Sequence, residues 1–225
     1  LAQLADKGWL IAIISGRTFS FSSLITQAFP FEYILAAYNG AIVMRMPSRE
    51  ILQRHYLPKD RLSQVETISA EHHTDCVVFG GYEVEDRCYW RPRHFDEAHQ
   101  HYLAKRRESH RETWDALDQW GQLPLDAFPS IKYFGTLAHL TPLSQRLEKE
   151  LNLHMPVIGD PFKGEVFVAQ ATDGSVHKGS ALKEIARLFP TKGPLIAAGD
   201  DYNDFTMLTA ADIRVIMATA PKDLL

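Results

Sequence analysis

The chain has 225 residues, 45% of them hydrophobic and 23% charged, with a formal net charge of −4 and a sequence pI of about 6.2. That leaves room for one large domain or two modest ones, and it offers no global basic field to attract nucleic acid. No stretch nears the length of a membrane span, no basic-then-apolar leader opens the chain, and Cys76 and Cys88 are too few to staple a secreted fold, which together point to the cytoplasm.

In chain order, the first segment reads as helix: Leu1 and Leu4 recur at helical spacing, and Gly8 stands where a C-cap belongs. A helix that opens on Leu1 with no cap ahead of it leads us to expect further chain upstream. Trp9 to Ile14 is an apolar run of strand length, broken by Ser15-Gly16-Arg17. Thr18 to Phe29 suits a helix capped by Thr18 and closed by Pro30, and Tyr33 to Ala37 is a second apolar strand ended by Asn39-Gly40. Near-continuous apolar strands separated by helices indicate a parallel sheet covered on both faces.

The pattern then changes. Ala41 to Met46 and Ile51 to Tyr56 read as a hairpin, Cys76 to Glu83 and Arg87 to Arg91 as another pair of strands, and the polar run 94–120 as helix. The cluster Lys105-Arg106-Arg107, mixed with Glu108 and Glu112, reads as a solvated helix face. Ile131 to Leu137 is a predicted strand, Thr141 to Leu151 a helix and Val166 to Ala171 a strand. From Lys178 the first pattern resumes, with a helix to Phe189, a strand over 195–198, a helix over 203–209 and a strand over 213–218. Pro221 to Leu225 looks like the opening of a further helix. The expected fold class is α/β: a Rossmann-like parallel-sheet core made of residues 1–40 and 173–225, with a second α/β module, 41–172, inserted into it.

Three places could carry chemistry. Leu195-Ile-Ala-Ala-Gly-Asp-Asp-Tyr-Asn-Asp204 sets three carboxylates and an amide just past an apolar strand, where open α/β sheets bind ligands. Clustered Asp oxygens there suit Mg²⁺; the plainer alternative is a turn with Asp200 capping the next helix. Ser15-Gly16-Arg17 places a hydroxyl and backbone N–H groups at a strand tip ahead of a helix, a geometry that binds phosphate, or simply a turn. Lys178 stands at a helix start, where the dipole disfavours a cation, so it either answers an anionic partner or points into water. The histidines at 72, 73, 94, 99, 101 and 110 match no compact ligand spacing and read as surface residues.

Taken in order, these motifs resemble the haloacid dehalogenase superfamily, in particular its Cof-type sugar-phosphatase branch. Ser15-Gly16-Arg17 matches the second motif, Asn39-Gly40-Ala41 the Asn-Gly-Ala that closes the next strand, Lys178-Gly179-Ser180-Ala181-Leu182 the third, and Gly199-Asp200-Asp201-Tyr202-Asn203-Asp204 with Met207-Leu208 the fourth. The resemblance implies a Mg²⁺-dependent phosphatase acting on a small phosphorylated metabolite, most simply a sugar phosphate, through an aspartyl-phosphate. It implies that Ser15, Gly16, Asn39, Lys178 and Asn203 meet the phosphate or substrate, that Lys178 also neutralises the nucleophile, and that Asp200 and Asp204 serve the metal. It implies further that the inserted module is a specificity cap. The first motif of the family, an Asp-x-Asp-Gly-Thr carrying the nucleophile, has no counterpart in residues 1–225. Asp173-Gly174-Ser175 mimics its tail, but Ala171 stands at the nucleophile's place. The resulting expectation is an enzyme whose chain as given is inactive; the alternative is a non-catalytic relative that binds a phosphorylated ligand or a protein partner.

Overall fold

A computed structural model describes residues 1–160, 166–190 and 192–222. The helix expected from Pro221 runs into residues 223–225, which lie outside the described residues. Among the described residues, no helix is long and apolar enough to cross a membrane. The chain divides into two compact units, one of residues 1–17, 22–55 and 175–225, the other of 18–21 and 56–174.

The first unit opens with a short helix, Ala2–Ala5, followed by Gly8 at φ +84°, a left-handed turn that glycine adopts without steric cost. Strand β1 is Ala12–Ile14, helix α1 Phe19–Thr26, whose first residues group with the second unit, and strand β2 Tyr33–Ala37. Thr18 caps α1 as expected, its hydroxyl accepting from the Phe21 amide. The two strands pair in parallel, Ile13 opposite Leu35, and every residue of β2 is buried. Strands β3 (Ile42–Met46) and β4 (Glu50–Arg54) form the expected hairpin. They continue the sheet of the first unit, however, in the order β1-β2-β3-β4, with Ala37 paired to Ile42. The hairpin thus groups with the first unit, and the second unit takes up again at residue 56. The reason is local: only four residues separate β2 from β3, and a close antiparallel return is the simplest way to cover the edge of a buried strand.

Among the described residues, the second unit is built on a seven-stranded sheet and three α-helices. In chain order these are α2 (Arg61–Glu71), β5 (Val77–Phe79), β6 (Cys88–Trp90), α3 (Glu97–His110), β7 (Trp114–Ala116), β8 (Ser130–Gly135), α4 (Leu137–Leu151), β9 (Leu153–His154), β10 (Val157–Gly159) and β11 (Phe167–Asp173). The strand order is β9-β11-β8-β5-β6-β7, with β10 also paired to β11. The polar run 94–120 is only partly helical: Trp114–Ala116 leaves α3 through Arg111, which takes a left-handed φ of 54°, and pairs in parallel with β6. Alternation sets one face of the sheet against α2 and α4, where Val78, Ile131, Tyr133, Ala169 and Ala171 join Leu62, Val65, Ile68, Leu140, Leu143 and Leu147 in one core. The opposite face is more polar. There Arg106, expected in solvent, has a largely covered side chain instead, its guanidinium 4.9 Å from the Phe134 ring and bonded to Asp160 at 3.2 Å.

Arg91 is the electrostatic anchor of this unit. It is 3% exposed, grips the fully buried Asp75 in a fork with bonds of 2.8 and 2.9 Å, lies 4.7 Å over the Trp120 ring and also meets Glu66. Breaking one side of a buried pair strands the other charge, whereas replacing both by apolar groups removes the desolvation cost together with the attraction. Arg91→Ala should therefore cost about 3 to 5 kcal/mol of unfolding free energy in urea, while Arg91→Met combined with Asp75→Leu should stay within about 2 kcal/mol of the parent. Equal losses in the two variants would contradict this account.

The chain returns to the first unit after the turn at Gly174-Ser175. Helix α5 is Lys178–Leu188, β12 Ile196–Gly199, α6 Phe205–Ala210 and β13 Ile213–Ile216, with a single 3-10 turn at Tyr202–Asp204 leading into α6. β12 and β13 pair in parallel. Helix α5 places Ala181 and Ile185 on β1, β2 and β3, and Leu182 on Ala197, Met207 and Leu208; Ile14 packs against both groups. One helix thus ties together the strand ends that carry the sequence motifs.

Candidate active site

Ser15 follows the last residue of β1. Its amide donates to the Ala36 carbonyl at 2.9 Å, its carbonyl accepts from the Asn39 amide at 2.8 Å, and its hydroxyl accepts from the Arg17 amide at 3.1 Å. Tyr38 in turn donates its amide to the Arg17 carbonyl at 3.0 Å. The tips of β1 and β2 are therefore laced together, and Ser15, Gly16 and Asn39 share one corner. Three successive residues, Tyr38, Asn39 and Gly40, hold positive φ of 52°, 59° and 107°. Gly40 is required there twice over, since a Cβ would also lie 2.5 Å from the Ala181 side chain. Asn39 is 3% exposed and its Oδ1 has no hydrogen-bond partner among the described residues. A strained segment holding an unsatisfied buried acceptor is the kind of feature that active sites retain.

Lys178, the first residue of α5, is likewise buried, at 8% exposure. Its Nζ donates to Asp204 Oδ1 at 2.5 Å and to Asn203 Oδ1 at 3.2 Å. The other Asp204 oxygen accepts from the amides of Asp200 and Asp201 at 3.0 and 3.3 Å. Asp204 thus fixes both the lysine and the loop. Two glycines make the approach possible: a Cβ on Gly199 would sit 2.6 Å from that of Asp204, and one on Gly179 would sit 2.4 Å from the Thr206 carbonyl oxygen. Thr206 also accepts the Gly179 amide at 3.1 Å through its hydroxyl.

The residue that caps the turn into α6 is Asp201, whose carboxylate accepts from the Tyr202 amide at 2.7 Å. Asp200 is exposed, at the carboxyl end of β12, and its carboxylate has no protein partner among the described residues. No group of three His, Cys, Asp or Glu side chains among the described residues forms a ready-made metal cage. One free carboxylate backed by a second fits a cation that draws most of its ligands from water and substrate, as Mg²⁺ does. All seven residues singled out from the sequence belong to the first unit, in two groups: Ser15, Gly16 and Asn39 at one corner, Lys178, Asp200, Asn203 and Asp204 at the other, with α5 and Ile14 packed between them.

The family profile of the haloacid dehalogenase-like hydrolases matches residues 1–225, the whole chain. The chain belongs to that family. Solved structures agree with it in fold. A haloacid dehalogenase-like hydrolase from B. subtilis superposes with a TM-score of 0.73 at 20% identity, over 99% of this chain and 82% of its own. A HAD subclass IIB sugar phosphatase gives 0.70 at 17%, over 98% and 78%, and a HAD/COF-like hydrolase from Plasmodium vivax 0.70 at 15%, over 99% and 77%. No curated protein matches the chain.

For this HAD-like hydrolase, the close backbone approach at Gly179 sets how α5 meets α6. Gly179→Ala should lower unfolding free energy by about 1 to 3 kcal/mol, read by urea denaturation. An unchanged midpoint would mean that the Thr206 contact does not constrain the helix.

Proposed function

We propose that the chain is the larger part of a Mg²⁺-dependent phosphomonoesterase acting on a small phosphorylated metabolite, a sugar phosphate being the simplest substrate. The observation that carries the reading is the buried Lys178 ammonium, held by Asp204 and Asn203 beside the unpartnered Asp200 carboxylate at a strand end. A cation so placed is set to receive an anion, and the subclass IIB neighbour, a sugar phosphatase by its description, supports the substrate class. Residues 41–172 were expected as the specificity cap; we assign that role to the second unit, 56–174.

In this reading Ser15 Oγ and the amides around Gly16 hydrogen-bond the transferring phosphoryl oxygens, and Asn39 supplies a further polar contact through its free Oδ1. Lys178 neutralises the phosphate as negative charge builds on its equatorial oxygens, and Asn203 orients both. Asp200 would hold the metal, with Asp204 supporting it from behind; Mg²⁺, when bound, supplies charge neutralisation of the phosphoryl group. The covalent step needs a carboxylate that attacks phosphorus as the ester P–O bond breaks and the leaving oxygen takes a proton; water then cleaves the acyl phosphate. Residues 1–225 contain no Asp-x-Asp to supply it, so we assign the nucleophile to a segment these residues do not include.

Purified residues 1–225 should release no phosphate from sugar, nucleotide or glycerate phosphates, with or without Mg²⁺, in a phosphate-release assay. Mg²⁺-dependent turnover by this chain alone would overturn the assignment of the nucleophile. In a chain extended by a strand ending in Asp-x-Asp, Lys178→Ala or Asp200→Ala should lower kcat at least about 100-fold. Near-parental turnover in either variant would remove that residue from the mechanism, and inactivity of the extended parent would favour the non-catalytic alternative.

A further inference from the structure

Lys178 owes its place to the residue before it. His177 is the N-cap of α5, in extended backbone at φ −151° and ψ 166°. Its Nδ1 accepts from the Ser180 amide at 3.1 Å, while Ser180 Oγ accepts from the His177 amide at 3.0 Å and donates to the His177 carbonyl at 2.8 Å. This is a capping box in which imidazole does the work usually given to a Ser, Thr, Asp or Asn oxygen. Those oxygens stay acceptors throughout the physiological range. An imidazole nitrogen accepts only while it is unprotonated.

We propose that His177 is a positioning residue for Lys178: its neutral imidazole closes the first turn of α5, and protonation opens that turn and releases the lysine from its register with Asp204. The proposal rests on the role given to Lys178 above. Protonation acts in two ways. It turns the Nδ1 acceptor into a donor facing another donor, and it adds a positive charge to a helix N-terminus that already carries Lys178 against the dipole. Lys183, on the next turn, opposes that charge; Asp204 at the start of α6 is taken by Lys178; and Glu184 is paired with Arg187, beside His55 at the end of β4. Burial, with Lys183, holds the His177 pKa below its ordinary value. The cap is therefore fully formed above the ordinary histidine pKa of about 6.5 and is lost as the pH falls from there through the lower folded value.

The test compares parent, His177→Asn and His177→Ala in the extended, active chain, with kcat and KM measured from pH 5 to 8 below the unfolding temperature of each. Asn presents a permanent acceptor, so kcat at neutral pH should stay within about twofold of the parent while the acid limb flattens. Ala presents none, so kcat at neutral pH should fall roughly fivefold with KM little changed, and the gap to the parent should close as the pH falls and the parent loses its own cap. An acid limb in His177→Asn identical to that of the parent, or an unaltered kcat in His177→Ala, would overturn the proposal. A second readout is independent of phosphatase activity: nitrogen-15 spectra of residues 1–225 should place the imidazole proton on Nε2, with the Lys178 Nζ resonance shifting as His177 titrates. A Lys178 signal indifferent to that titration would overturn the positioning role whether or not the chain proves to be a phosphatase.

Discussion

The buried pair of Lys178 and Asp204 is the constraint on which the site depends. An ammonium at the first position of a helix opposes the dipole and loses hydration when buried. Asp204 makes both tolerable, and its second oxygen gathers the amides of Asp200 and Asp201. Through that one carboxylate, the start of α5 and the tip of β12 become a single rigid element, and Asp200 is left facing outward with its charge unspent. The glycines at 179 and 199 are the steric condition for this, since no side chain fits at either position without displacing what it meets.

The other corner is organised largely through its backbone, with the Ser15 hydroxyl accepting from the Arg17 amide. Ser15 and Arg17 exchange amide and carbonyl bonds with Ala36, Tyr38 and Asn39, and the left-handed run at 38–40 turns the chain sharply enough to bury Asn39 with an acceptor to spare. Helix α5 joins the two corners through apolar contacts, with Ile14, directly before Ser15, in contact with both. Polar precision at two strand tips is thus carried on an ordinary hydrophobic interface.

Much of this was legible in the sequence because the governing signals are local. Apolar runs marked Tyr33–Ala37 as a buried strand to the residue, and Ser-Gly-Arg, Lys-Gly and Gly-Asp-x-x-Asn-Asp each fell at a strand-to-helix junction. What escaped depends on partners remote in sequence or on unusual chemistry. Trp114–Ala116 is too short and too polar in context to declare itself a strand; pairing with β6 makes it one. Arg106 looks like its neighbours Lys105 and Arg107 until Asp160 and Phe134 are brought to it. The cap on the Asp loop is Asp201 rather than Asp200, a choice between adjacent carboxylates that residue type does not reveal. His177 gives no cap signal of its own because imidazole is not a usual cap, and only Ser180, three residues on, hints at the capping box.

The most direct test of this account is a crystal structure of the chain grown with tungstate, as a phosphate mimic, and Mg²⁺. The account predicts the oxyanion within hydrogen-bond distance of both Ser15 Oγ and Lys178 Nζ, with the cation on Asp200. An oxyanion bound elsewhere, or Ser15 and Lys178 too far apart to share one, would contradict it.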